Sequence, residues 1–116
     1  RSIKTNKNIN LIIDAIKEKK GKEIIVINLT STIHAPSDFF VICSATSNTQ
    51  IDAIANNVVH FLKDTANLNI WQEEGRNSNW RLLDYANIVI HIFKEETRDY
   101  YKLEELWADG ETKKIH

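Results

Sequence analysis

Only four chain breakers, Gly21, Pro36, Gly75 and Gly110, punctuate these 116 residues. Glycine and proline are the strongest local interrupters of regular structure, so a sequence this poor in them has nothing suited to a flexible linker. No internal repeat or low-complexity tract divides it either. A chain of this length carries one hydrophobic core, and residues 1–116 read as a single domain.

The apolar pattern between the breakers changes period. Ile9, Ile12, Ile13 and Ile16 recur at helical spacing in a lysine-rich segment that stops at Gly21, which predicts a first helix. Glu23 to Leu29 is short and rich in Ile and Val, and Phe39 to Cys43 is a second apolar run beyond the Pro36 loop; both suit strands. Ser47 and Gln50 have capping-box spacing, and Ile51, Ile54, Ala55, Val58, Phe61 and Leu62 then form one face of a second helix. Three further strands are predicted near Asn69 to Glu74, Trp80 to Tyr85 and Ile88 to Phe93. The turns between them carry Gly75, Asn77, Ser78, Asn79 and Asn87. Glu95 to Ala108 reads as a last helix, with Tyr100, Leu103, Leu106 and Trp107 on one side and Gly110 as its stop. This order predicts an α/β or α+β domain, a mixed sheet of about five strands with helices packed mainly on one face.

Composition removes several classes of function. The single cysteine, Cys43, cannot form an internal disulfide, and with four histidines for company it offers no zinc-module pattern. No apolar run approaches the roughly 18 to 20 residues of a membrane span, and Arg1 to Asn10 has no signal-peptide core. A soluble cytoplasmic protein is expected. An organellar matrix is the alternative if a targeting segment once preceded Arg1.

Charge is unevenly spread. Residues 1–22 carry seven basic and two acidic groups, residues 23–93 three basic and seven acidic, and the remainder five basic and seven acidic. A nucleic-acid platform on the acidic strands would lack the cations that meet phosphate, so that surface suits a basic protein better. The run Lys17 to Lys22 either touches RNA phosphate or is the solvated end of an amphipathic helix, the commoner role.

Catalytic patterns are thin. There is no Walker loop and no Gly-x-Gly-x-x-Gly, and three scattered glycines cannot build a phosphate cradle. The one acid-x-acid pair, Asp109 with Glu111, lies beyond the last predicted helix, whereas two-metal chemistry needs carboxylates that converge. Asp38 is either catalytic or a turn cap, the latter being commoner. Cys43, flanked by strand residues, reads as a small buried hydrophobe. No catalytic residue, metal or cofactor is expected.

Two candidate features remain. Trp80, Leu82 and Asp84 alternate along one strand and so share a side. They are either a binding hot spot, with an aromatic anchor and a charge that selects a cation, or core residues with Asp84 starting a turn. His91, inside an apolar strand, is a ligand, a base or a hydrogen-bonded structural group; no second His or Cys stands at ligand spacing nearby, which favours the structural role.

The strand Ser37 to Cys43 followed by Thr46, Ser47 and the helix from Ile51 resembles the ribosomal silencing factor (Iojap-like) family. So do Glu74-Gly75 with Trp80, Leu82 and Asp84, the run Val89 to Phe93, and Glu96, Arg98, Tyr101, Leu103, Glu104, Leu106 and Trp107. The resemblance covers nearly the whole chain in order. Ala45 stands where the family commonly has Gly, and Ala86-Asn87 replaces a usual Gly-Asp turn.

The resemblance implies a nucleotidyltransferase-like fold without catalytic carboxylates and a role that is not enzymatic. Family members bind the large ribosomal subunit on its intersubunit face, through the fourteenth protein of the large-subunit series, and keep the small subunit from joining. Organellar relatives act in large-subunit assembly, and a homodimer is permitted in the free form. On that basis Trp80, Leu82 and Asp84, grouped with Glu74, Tyr85 and His91, become the expected partner surface. Two other readings stay open: a residual nucleotidyltransferase-type enzyme with a phosphate-binding turn near Ser44 to Ser47, and an assembly factor that contacts ribosomal RNA through the lysines of the first helix.

Overall fold

Strands buried on both faces read as unbroken apolar runs, and two such runs form the middle of the sheet. In the computed structural model, which describes residues 2–116 and the side chains from Thr5 onward, Phe39–Ala45 pairs in parallel with Ile88–Lys94. Arg1 of the basic N-terminal segment lies outside the described residues. In chain order the elements are α1 (Ser2–Glu18), β1 (Lys22–Asn28), β2 (Phe39–Ala45), α2 (Asn48–Ala66), β3 (Gln72–Glu74), β4 (Trp80–Asp84), β5 (Ile88–Lys94), α3 (Glu95–Tyr101), α4 (Leu103–Leu106) and β6 (Glu111–Lys114). The strand order is β3-β4-β5-β2-β1-β6, and every neighbouring pair except β2 with β5 is antiparallel. The fold is a single-domain α+β architecture with a mixed sheet.

Alternation along the strands divides the core in two. One cluster holds Val41, Cys43 and Ala45 of β2, Leu83 of β4 and Ile88, Ile90 and Ile92 of β5 beneath α1 and α2. The other holds Ile25 and Ile27 of β1, Phe40 and Ile42 of β2 and Val89 and Phe93 of β5, with Leu103 and Trp107 laid over them and Trp80 and Leu82 at its margin.

The start of α2 is built as its sequence predicts, with one change. Ser47 Oγ accepts from the Gln50 N–H at 3.1 Å, while Gln50 Oε1 accepts from the Thr46 N–H at 2.7 Å, one residue further back than a capping box reaches. The Gln50 amide nitrogen is then free to donate to the carbonyls of Lys19 and Lys20 at the end of α1, so one side chain ties two helix termini together. Gly21 serves close approach: a β-carbon there would fall 2.3 Å from Ile16 Cγ2, and the left-handed position is taken by Lys20, at φ 64°.

Four expectations need correction. The sheet has six strands because the segment after Gly110 pairs with β1; all four residues of β6 are exposed, so no apolar alternation marks it. Helix is not continuous from Glu95 to Ala108, because Lys102 at φ 50° ends α3 and starts α4. That break turns Leu103 into the second cluster and leaves Tyr100 and Leu106 exposed, so the predicted apolar side does not exist as one face. Nor do the helices stay mainly on one side of the sheet, since the C-terminal pair covers the face opposite α1 and α2. The strand expected from Asn69 shortens to β3, an exposed edge.

Candidate functional site

On β4 the alternation places Trp80, Leu82 and Asp84 on the face away from α1 and α2, and Arg81 and Leu83 toward those helices. The three are half-buried. In the antiparallel ladder with β5, Trp80 stands opposite Phe93, Leu82 opposite His91 and Asp84 opposite Val89; directly opposed residues share a face. On the other flank Leu82 is opposite Glu74 of β3. Trp80, Leu82, Asp84, Glu74 and His91 are therefore brought together.

Tyr85 is not. It continues the Arg81 and Leu83 series, lies in the helix-side cluster, and buries a hydroxyl that has no hydrogen-bond partner among the described residues. The same alternation that gathers the other residues sends Tyr85 through the sheet, which removes it from the candidate surface.

The indole of Trp80 is held on three sides. It stacks on Phe93 with centroids 4.7 Å apart, meets the Tyr101 ring at 4.9 Å, and its Nε1–H donates to His91 Nδ1 at 3.1 Å. His91 is itself 3% exposed and set edge-on to Phe40 at 4.6 Å. Burial pushes its imidazole down from 6.5 to about 4, so the ring is neutral at neutral pH. Since Nδ1 accepts, the ring proton belongs on Nε2, and that nitrogen has no hydrogen-bond partner among the described residues. His91 is thus a buried, neutral imidazole hydrogen-bonded beneath the tryptophan.

Asp84 has local work as well. Its Oδ1 accepts from the Ala86 N–H at 2.7 Å, the turn role open to it from sequence, and the remainder of the half-buried carboxylate stays with the Leu82 face. Glu74 stands opposite Leu82 and Glu96 shares a cleft with Trp80, while Arg81 is buried on the far side, bonded to Glu73 and to Asp52, and Arg76 is an exposed cation in the β3–β4 turn. The lysines of β6 lie at the opposite edge of the sheet.

A phosphate-binding turn near Ser44 to Ser47 is not what the end of β2 provides. Arg98 occupies that position, donating through Nη1 to Ser44 Oγ at 2.8 Å and to the Glu23 carbonyl at 2.6 Å, and through Nε to Glu104 at 3.1 Å. The open cleft beside it, about 450 Å³, is lined by Glu23, Ser44, Glu95, Glu96, Arg98, Asp99 and Glu104, a predominantly acidic wall that repels phosphate. Among the described residues, no group of three or more His, Cys, Asp or Glu is disposed to hold a metal ion. Cys43 is fully buried and its thiol is pushed up to about 12 by that burial, the state of an inert core cysteine. Asp38 sits where the backbone is tied at both sides, its carbonyl accepting from Leu29 and its N–H donating to Asn87.

The sequence pattern found Trp80, Leu82 and Asp84 by period two. Tyr101 gave no such signal, because it meets Trp80 from a different element, the end of α3; Phe93 was legible as the neighbour of His91 on the same side of β5.

Comparison with known proteins puts this mixed-sheet α+β domain in a class of ribosome-related regulators of translation. The chain belongs to the family described as "Ribosomal silencing factor during starvation", which matches residues 2–116. It is 35% identical over 108 residues to the ribosomal silencing factor RsfS of Halalkalibacterium halodurans, covering 90% of this chain and 88% of that one. A crystal structure of a protein from Chromobacterium violaceum superposes with a TM-score of 0.82 at 35% identity, over 89% of this chain and 85% of the other. A mouse protein named for mitochondrial assembly of the large ribosomal subunit is 28% identical over 104 residues, 87% of this chain and 45% of its own length. Among the described residues no helix is long and apolar enough to cross a membrane.

Proposed function

We propose that this protein binds the large ribosomal subunit through a basic ribosomal protein, the fourteenth of the large-subunit series, and sterically keeps the small subunit from joining. The observation that carries the reading is the Trp80 face: an aromatic anchor fixed by Phe93, Tyr101 and His91, an aliphatic neighbour in Leu82, and the carboxylates of Asp84, Glu74 and Glu96 beside them. Interfaces are centred on such anchors, and opposite charge steers a basic partner to them. The role is not enzymatic and the site of action is the cytoplasm; the names of bacterial relatives, silencing factors rather than enzymes, support the first of these. Co-sedimentation with purified large subunits tests the reading; a folded Trp80→Ala variant that sediments like the wild type overturns it.

A second reading draws on the mouse relative's name: assembly of the large subunit, with RNA contact through Lys17, Lys19, Lys20 and Lys22, all of which are exposed. It predicts steeply salt-dependent binding that survives changes at Trp80.

A further inference from the structure

His91 occupies a position surrounded by apolar and aromatic side chains. Its neighbours on that side of β5 are Val89 and Phe93, it lies opposite Leu82, and its ring contacts are Phe40, Trp80 and Phe93. Keeping an imidazole there buries an Nε2–H with no acceptor, and an unmet buried donor is destabilising. The imidazole makes one hydrogen bond in return, from the Trp80 Nε1–H at 3.1 Å.

Trp80 is half-buried, so water can serve its N–H if the ring turns outward. The acceptor on His91 removes that alternative: with the N–H directed into the sheet, the ring stays against Phe93 and Tyr101. A side chain already fixed in its bound orientation loses less freedom on binding.

We infer that His91 is a positioning residue for the partner surface, fixing the orientation of the Trp80 indole through Nδ1 without itself meeting the partner. The inference rests on the assignment of the Trp80 face as the docking surface. It differs from a structural role in sign: a residue kept for stability weakens the fold when replaced by leucine, whereas His91→Leu here removes an orphaned polar group and should leave the fold at least nearly as stable while weakening binding.

The experiment uses the whole chain and purified large subunits, with His91→Leu, His91→Asn and Trp80→Ala. Asparagine places Oδ1 where His91 has Nδ1, so it restores the acceptor in a smaller side chain. The readouts are the indole N–H resonance of Trp80, the affinity for the subunit, and thermal unfolding. His91→Leu is expected to shift the resonance toward that of a hydrated indole and to weaken binding about five- to tenfold, the scale of one hydrogen bond. His91→Asn is expected to recover the resonance and most of the affinity even if it melts earlier. Wild-type affinity for a folded His91→Leu, or an Asn variant as weak as Leu, overturns the inference and leaves the docking surface standing. Unchanged binding by Trp80→Ala overturns both. Should the leucine variant not fold, nitrogen shifts of wild-type His91 decide: a ring protonated on Nε2 is required, and one protonated on Nδ1 refutes the inference.

Discussion

Asp84 holds Ala86 in a backbone conformation that alanine avoids: Ala86 lies at φ 71°, and its N–H donates to Asp84 Oδ1 at 2.7 Å. Asn87 N–H closes back on the Tyr85 carbonyl at 2.9 Å, and Tyr85 N–H donates to the Ile88 carbonyl at the same distance, so the reversal between β4 and β5 is tight. A side chain with a β-carbon in this region is strained by roughly 1–2 kcal/mol, whereas glycine is not. Ala86→Gly is therefore expected to stabilise the protein by about 1 kcal/mol after glycine's own entropic cost, which thermal unfolding reads as a rise of a few degrees. An unchanged or lower midpoint would mean that the turn relaxes without strain.

Acid sensitivity should follow from His91. Burial lowers its folded value from 6.5 to about 4, so between those limits the unfolded chain binds a proton that the folded chain refuses. Stability is therefore undiminished above about pH 6.5 and falls as pH drops toward about 4, by about 3 kcal/mol in total. The rings recorded against it, Phe40, Trp80 and Phe93, carry no charge to offset this. Urea unfolding between neutral pH and about pH 5 should show a loss of about 2 kcal/mol in the wild type that is absent from His91→Leu; equal losses in both would place the sensitivity elsewhere.

Tyr85 offers a check on which way the strand faces. Its hydroxyl is buried without a partner on the helix side of the sheet, so Tyr85→Phe removes an unmet polar group and should be neutral or stabilising by up to about 1 kcal/mol. Subunit binding should not change. A clear loss of affinity at wild-type stability would return Tyr85 to the partner surface.

These residues also show what the sequence could and could not convey. Period two was enough to put Trp80, Leu82 and Asp84 together, and the apolar runs at β2 and β5 were enough to mark the central strands. Tyr85, expected with them on the same surface, instead follows the alternation to the helix side of the sheet. The last strand was unreadable for a different reason: Glu111–Lys114 is an exposed edge, and charged side chains that guard an edge against further pairing carry no hydrophobic pattern. Lys102 adopts φ 50° although nothing in its side chain favours the left-handed region, so the helix break before the buried Leu103 carried no local sequence signal.

Catalysis is the next expectation to test. Arg98 fills the end of β2 with hydrogen bonds to Ser44 and the Glu23 carbonyl, and the cleft beside it is walled mainly by carboxylates. The purified protein should neither transfer nucleotides nor hydrolyse nucleoside triphosphates with magnesium or manganese supplied. Turnover that disappeared on changing Asp38 or Asp84 would reverse the assignment.

The last prediction separates anchor, charge and fold on the docking face. Trp80→Ala removes the indole from Phe93 and Tyr101 and should cost about 2 kcal/mol or more of subunit binding, the loss typical of a central aromatic anchor. Asp84→Lys should be at least as harmful, because it turns attraction for a basic partner into repulsion. It also takes the acceptor from the Ala86 N–H, so a stability loss of about 1 kcal/mol accompanies it. Asp84→Asn keeps a side-chain oxygen for that turn and removes only the charge, which makes it the cleaner measure of electrostatics. If the action is steric, binding and inhibition of subunit joining must fall together across the series in light scattering, with circular dichroism confirming each fold. Neutralising Lys19 and Lys20 should matter little. A folded Trp80→Ala variant that still blocked joining at the wild-type concentration, beside a lysine variant that did not, would hand the function to the first helix.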